Sequence, residues 1–259
     1  MNKIKIALSR KQWMVTIIVV LGAIVAFTWN SLNFASKNRI ISEVGIEIKV
    51  NSNGFNFYEK SDITELLQKT IGNPIGKPTS EIKLTQFELK LNTLPQIENA
   101  QVYVDFSGTL KVKIKERIPI ALVFTNNGKS FYLDSNGIVI PDLKVFKAPI
   151  FIINGNINPP SNSKKSNKKI WKELTKISKE IYHNELLTLQ FEQCYVDKFN
   201  RYLLIPKVGK HTIVLNNTSN IGRKFENLGV FYKKGLPKLG WNKYREIDIS
   251  YENQIVARQ

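Results

Sequence analysis

Hydrophobic and polar positions along the 259-residue chain change period twice, and the first regime is not periodic at all. Residues 13–29 read WMVTIIVVLGAIVAFTW, inside a stretch without any ionisable group between Lys11 and Lys37. A helix of about 17–25 apolar residues crosses a hydrocarbon core of ~30 Å, and this run fits that length. Trp13 and Trp29 stand at its two ends, where an interfacial aromatic belt belongs. The preceding flank carries Lys3, Lys5, Arg10 and Lys11 and no acid, so the positive-inside rule keeps residues 1–12 cytoplasmic and exports everything after Asn30. A cleaved signal peptide and a buried core helix are the alternatives. No small-x-small cleavage site follows the run, which continues as Asn30-Ser31-Leu32-Asn33-Phe34. Residues 13–35 are therefore read as a single uncleaved transmembrane helix with its juxtamembrane segment. Gly22 and Ala26 make a small-xxx-small step too common by chance to assign a partner helix.

From residue 41 to about 141 the order predicted is strand, helix, helix, strand, strand. Val44, Ile46, Ile48 and Val50 alternate as a half-buried strand does. Asn53-Gly54 marks a turn, and Asp62 with Glu65 predicts the capped start of a helix whose apolar face is Ile63, Leu66, Leu67 and Ile71. Residues 72–78 break it. Residues 81–94 fit both periods, with Leu84, Phe87, Leu91 and Leu94 favouring a helix and Phe87/Leu89/Leu91 a strand; length and the preceding Pro-Thr-Ser tilt the reading to helix. A hairpin follows: Ala100, Val102, Val104 and Phe106 face one side, Leu110, Val112 and Ile114 return, and Ser107-Gly108 turns the chain. Lys111, Lys113 and Lys115 point outward. A second hairpin pairs residues 131–133 with 138–140 across the turn formers Asp134, Asn136 and Gly137.

Residues 156–169 (NINPPSNSKKSNKK) read as a polar loop. Ile170, Leu174, Ile177 and Ile181 then describe an amphipathic helix whose other face bears Lys168, Lys169, Lys172, Lys176 and Lys179. A solvated face is the plain reading of those lysines, proximity to anionic phospholipid the second. Strands are predicted at 187–196, 202–205 and 211–215, a helix at 221–234, and a closing strand pair at 246–251 and 254–258 around Glu252-Asn253.

Composition narrows the chemistry. One cysteine leaves no intrachain disulfide and no thiolate metal cluster, and two histidines, His183 and His211, are far apart in sequence. No cofactor and no metal are expected. Ser161-x-x-Lys164 and Ser166-x-x-Lys169 match a serine–lysine pattern of penicillin-binding enzymes, but the S-D-N and K-T-G elements it needs are absent from the chain. The formal net charge is +17. Nucleic acid is excluded as a partner if the bulk of the chain is exported, which leaves an anionic membrane surface, an acidic partner at a docking face or compositional drift.

Three phrases carry a resemblance: Leu94-Pro95-Gln96-Ile97-Glu98-Asn99-Ala100-Gln101-Val102, then Gly108-Thr109-Leu110-Lys111-Val112-Lys113-Ile114, then Glu116-Arg117-Ile118-Pro119-Ile120-Ala121. Their order, continued by Tyr132-Leu133-Asp134-Ser135-Asn136-Gly137-Ile138-Val139 with Pro141 and by Pro149-Ile150-Phe151-Ile152-Ile153-Asn154-Gly155, resembles the bacterial cell-division family FtsQ/DivIB. The resemblance implies an α+β chain: one anchor, a POTRA-like domain at about 40–118 and a β-rich domain with flanking helices at 119–259. It implies a non-catalytic bitopic protein of the inner membrane, N-terminus cytoplasmic and C-terminal domain periplasmic, concentrated at the division septum. FtsB- and FtsL-like proteins would be its partners, and through them the septal peptidoglycan synthase. A C-terminal edge strand would take up a strand from the FtsB-like protein by β-augmentation. Tyr251 falls on the family's contact tyrosine, with Ser250, Asn253, Ile255 and Val256 beside it. Ser250 stands where well-known members carry arginine, and Arg201 is the candidate replacement. Two other classes stay open: a POTRA-carrying envelope assembly or secretion component, which would need tandem modules or a barrel, and a membrane-anchored cell-wall enzyme, which would need converging acid, base or nucleophile groups.

Overall fold

A computed structural model describes residues 10–37, 39–50, 56–142, 150–160 and 165–259, arranged as two compact units. The first unit comprises Met1–Ile48, Tyr58–Asn92 and Asn99–Ile114. Helix α1 (Arg10–Lys37) opens it, and its described side chains, at 13–15 and 17–29, are all exposed. Among the described residues no helix is long and apolar enough to cross a membrane. Strand β1 (Glu43–Lys49), helices α2 (Lys60–Ile71) and α3 (Leu84–Asn92), and strands β2 (Ile97–Val104) and β3 (Thr109–Glu116) follow in the order the period predicts. The three strands form a sheet of order β1-β3-β2. Every second residue of β3 is buried, Leu110, Val112 and Ile114, and these join Ile63 and Leu67 of α2 and Phe87 and Leu91 of α3 in the core. The alternation gives β3 one buried face, and the 3.6-residue period gives each helix one buried stripe.

Edge strand β2 is closed by side chains of α3. The Asn92 amide accepts from the Ala100 N–H at 2.9 Å and donates to the Ala100 carbonyl at 3.1 Å, and Glu88 Oε2 accepts from the Val102 N–H at 2.7 Å. Three of the backbone groups that this edge strand would offer to another chain, the Ala100 N–H and carbonyl and the Val102 N–H, are thereby occupied.

The second unit contains a nine-stranded sheet of order β12-β11-β10-β9-β8-β7-β4-β5-β6. Its strands are β4 (Pro119–Phe124), β5 (Ser130–Asp134), β6 (Val139–Pro141), β7 (Phe151–Gly155), β8 (Phe191–Val196), β9 (Tyr202–Pro206), β10 (Thr212–Leu215), β11 (Glu246–Asp248) and β12 (Val256–Arg258). The β4–β7, β7–β8 and β10–β11 contacts are parallel and the others antiparallel. Helix α4 (Lys165–His183), with Leu174, Ile177 and Ile181 inward, shares one core with α5 (Glu185–Gln190) and α6 (Ile221–Val230).

The Glu116-Arg117-x-Pro119 phrase leads into this sheet. Glu116 is fully buried and its Oε2 accepts the Phe57 N–H at 2.7 Å. Arg117 Nη1 donates to Asp134 Oδ2 at 3.1 Å, the two side chains being 20% and 5% exposed. Asp134 also accepts the N–H groups of Asn136 and Ile138 at 2.9 and 2.7 Å, so it holds the β5–β6 turn from inside.

Several expectations are corrected. The α2 cap lies one turn earlier: Glu59 and Asp62 form the capping box, and Glu65 instead pairs with Lys69. Phe106 does not share the face of Ala100 and Val102; it lies beyond β2, 95% exposed, with the Arg39 guanidinium 5.2 Å from its ring centre. The 156–169 segment is not wholly a solvated loop. Ile157 is buried, α4 begins at Lys165, and Asn167 is buried with its amide donating to the Pro159 carbonyl at 2.7 Å. Residues 185–190 are helical, because the Asn184 side chain accepts the Leu187 N–H at 3.2 Å and starts α5 where a strand was predicted. The helix expected at 221–234 is longer: α6 passes through a π turn, Phe231–Gly235, into α7 (Leu236–Leu239). The Asn53-Gly54 turn and the Ser161 to Lys164 pattern lie outside the described residues.

Gly155, at φ 109°, would place an added Cβ 2.2 Å from the Val196 carbonyl oxygen. Urea denaturation of Gly155→Ala is expected to show a loss of at least about 3 kcal/mol, against only about 1–2 kcal/mol for Gly128→Ala, whose left-handed turn is open. His211 is buried, its Nε2 2.9 Å from the Tyr232 hydroxyl, and burial holds its pKa below 6.5. The unfolded chain therefore takes up this proton first, so the stability contribution is complete above pH 6.5 and is lost as pH falls. Stability measured between pH 6.5 and about 5 should decline by up to about 1.4 kcal/mol per pH unit, a slope that His211→Gln removes.

Candidate functional site

The last strand closes one end of the large sheet. β12 pairs antiparallel with β11, Val256 opposite Asp248, Ala257 opposite Ile247 and Arg258 opposite Glu246, and no described strand lies on its outer side. Arg258 ties the two strands through an ion pair to Glu246, with its Nη2 3.9 Å from Asp248 Oδ2, and its carbonyl accepts the Arg245 N–H at 2.8 Å. Ile255 and Ala257 are partly buried against the core, which fixes the face that β12 turns inward.

The strands are shorter than the sequence predicts. β11 ends at Asp248, and Ser250, Tyr251 and Asn253 occupy a connection between β11 and β12. One backbone N–H and two amide side chains from outside the connection hold it. The Asn216 N–H donates to Ser250 Oγ at 3.0 Å, Asn220 Nδ2 donates to Glu252 Oε1 at 2.6 Å, and Asn227 Nδ2 donates to the Glu252 carbonyl at 2.9 Å. The Ser250 N–H is taken by Asp248 Oδ1 at 2.8 Å. Tyr251, between these anchored neighbours, is 50% exposed. Beneath them Lys224 is only 1% exposed, its ammonium donating to the carbonyl and the side-chain oxygen of Asn217 at 3.2 and 3.0 Å. Burial lowers the Lys224 pKa, against the opposing fields of Glu252 and Asp248.

The predicted partner residues thus divide. Ser250, Tyr251 and Asn253 lie on the anchored connection, Ile255 leads out of it, and Val256 begins β12. Arg201 is engaged elsewhere: its Nε donates to Asp197 Oδ2 at 2.7 Å, and its guanidinium lies 5.7 Å from the Phe199 ring centre. The Asp197 hydrogen bond raises its pKa, with weaker support from the fields of Glu246 and Asp248. Asn220, Lys224 and Asn227 escaped the sequence reading, and Glu252 is read there only as part of a turn. The signal was present for one of them, since Lys224 falls in the buried stripe Ile221, Phe225, Leu228, where a lone cation needs an acceptor. Among the described residues no group of three or more His, Cys, Asp or Glu side chains could hold a metal ion.

Comparison with known proteins assigns both units. Residues 39–115 match the POTRA-like domain, and residues 118–258 match the family described as FtsQ/DivIB, C-terminal related. A relative named "Cell division protein FtsQ", from Jannaschia sp. (strain CCS1), is 27% identical over 96 residues, a match that spans 36% of this chain and 30% of the relative. The observed architecture is α+β, with a POTRA-like domain followed by a β-rich region. Because the C-terminal match runs over more than half of the sequence, the chain belongs to the FtsQ/DivIB family.

Proposed function

We propose that this protein is a non-catalytic bitopic division protein that binds FtsB- and FtsL-like partners and through them helps place and regulate the septal peptidoglycan synthase. The observation that carries the reading is the outer side of β12, which no described strand covers, inside the segment matched to the FtsQ/DivIB family. A partner strand laid along that side would gain main-chain hydrogen bonds, while Tyr251 offers the large amphipathic side chain that anchors interfaces. Arg258 and Glu246 beside the strand would contribute register more than affinity. The relative's name, "Cell division protein FtsQ", supports the cellular role.

The same reading makes residues 13–35 the membrane anchor. The uncharged run at 13–29 lies within α1, its described side chains face outward, and the basic flank ahead of it favours a cytoplasmic N-terminus. The C-terminal domain then works outside the inner membrane, at the septum. Removing the four basic residues of the tail leaves the exported part at about +13, and it is the export, not the charge, that takes nucleic acid out of reach.

Co-purification of the full chain with an FtsB-like protein tests the interaction. Tyr251→Ala is expected to weaken it at least about tenfold, since a central aromatic anchor is worth upwards of about 1.4 kcal/mol, without lowering thermal stability. A charge at Ile255 is the less discriminating variant, because that side chain also packs on the core. Unchanged affinity in Tyr251→Ala would refute the edge assignment. Depletion of the protein should give long filaments with segregated nucleoids, and normal cell length after depletion would refute the division role.

A further inference from the structure

The lysine face of α4 borders a groove that the division reading does not use. Helix α4 carries six lysines and two glutamates, and the glutamates are turned away from the lysines. Glu173 Oε2 accepts the Tyr202 hydroxyl at 2.5 Å, and the Glu180 carboxylate lies against Gly222 of α6. Lys168, Lys172, Lys176 and Lys179 are all exposed, and among the described residues none of the four forms an ion pair. Successive members of this row are three or four residues apart, so their stems leave the helix at intervals of about 5–6 Å along one side.

These four lysines line a groove of about 500 Å³ between α4 and the β5–β6 turn, with Trp171 in its floor and Asn136 on its far wall. The carboxylates that could neutralise it are already engaged. Asp134 beneath the turn is held by Arg117 and two backbone N–H groups, and Asp142 accepts the Ser130 hydroxyl at 2.5 Å. Trp171 is fixed in place, its indole N–H donating to the Asn158 carbonyl at 3.1 Å and its ring edge-on to Phe131. The result is a channel with a rigid apolar floor, polar amide wall and a one-sided row of point charges.

From this geometry we infer that the α4 groove binds a linear polyanion bearing repeated phosphate groups, with Lys168, Lys172, Lys176 and Lys179 each meeting successive anionic groups. A row along a recessed channel suits a strand better than a flat bilayer, which would engage the most protruding cations regardless of the channel. Lysine ammonium binds phosphate as a point charge, without demanding one geometry, so recognition would follow charge spacing rather than monomer identity. This inference is independent of strand capture at β12.

The test is titration of the full chain, in neutral detergent, with sodium polyphosphate at several salt concentrations. Binding is expected, with log affinity falling against log salt at a slope of about −3, as four neutralised phosphates require. The double variant Lys172→Glu/Lys176→Glu should lose at least about tenfold in affinity, with a visibly shallower slope. Lys233→Glu/Lys234→Glu makes the same charge change at exposed residues outside the groove and should bind nearly as the unaltered chain does. Equal loss in both double variants would reduce the effect to net charge and overturn the inference. So would polyphosphate binding that is unaffected by the groove variant. If phosphatidylglycerol vesicles bind through these lysines and polyphosphate does not, the face is a membrane contact and the polyanion groove is refuted. Circular dichroism of each variant separates loss of binding from loss of fold.

Discussion

The ion pair between Arg117 and Asp134 is the constraint on which the large sheet depends. Arg117 precedes β4, and Asp134 ends β5, opposite Pro119 in the register. Proline donates no ladder hydrogen bond, so this corner begins with a missing donor, and the register shifts between Pro119 and Ala121. The guanidinium supplies a cross-link where the ladder is weakest, and the same carboxylate organises the turn into β6. A pair this secluded gives little net stability against an apolar substitute, but it joins the start of β4 to the end of β5 at one fixed point. On the other side of β4 the sheet continues in parallel through β7 and β8, and α4 shares the core beneath these strands.

At the other end of the sheet the physics is of the opposite kind. β12 has three residues and β11 three, too few to hold themselves by ladder bonds alone. Their connection is fixed instead by amide side chains of α6 and its preceding loop. Holding Ser250 and Glu252 by their neighbours would lower the ordering cost if this connection receives a partner, as proposed. The buried ammonium of Lys224 belongs to the same arrangement: it satisfies Asn217, and its charge is balanced by Glu252 and Asp248 of the C-terminal segment.

Much of this was legible in the chain. Strict alternation at Leu110, Val112 and Ile114 and the 4-3-4 spacing of Ile170, Leu174, Ile177 and Ile181 were strong because period and burial coincide over several turns. Where local chemistry competes with period, reading failed. Glu59 is an unusual cap, so the more familiar Asp62 drew the helix start one turn too late. Leu186, Leu187 and Leu189 look like a strand until Asn184 caps them. Asp134 was recognisable as a turn former, but its bond to Arg117 joins positions related only through the fold. The candidate site was legible as a terminal segment and not as a shape: Tyr251 was found by phrase similarity, whereas Asn220 and Asn227 have no pattern that links them to Glu252.

The side-chain closure of β2 has a consequence for assembly. An FtsQ/DivIB chain with every sheet margin open would be multivalent, able to join its own copies into a ladder as readily as to receive a partner. Here Asn92 and Glu88 close the β2 margin of the small sheet, and β6, three residues ending in Pro141, offers a poor one in the large sheet. Among the described strands of the large sheet this leaves β12 as the one receptive margin, so a partner strand added there would make a monovalent and directional contact, terminating a chain of contacts and not propagating one.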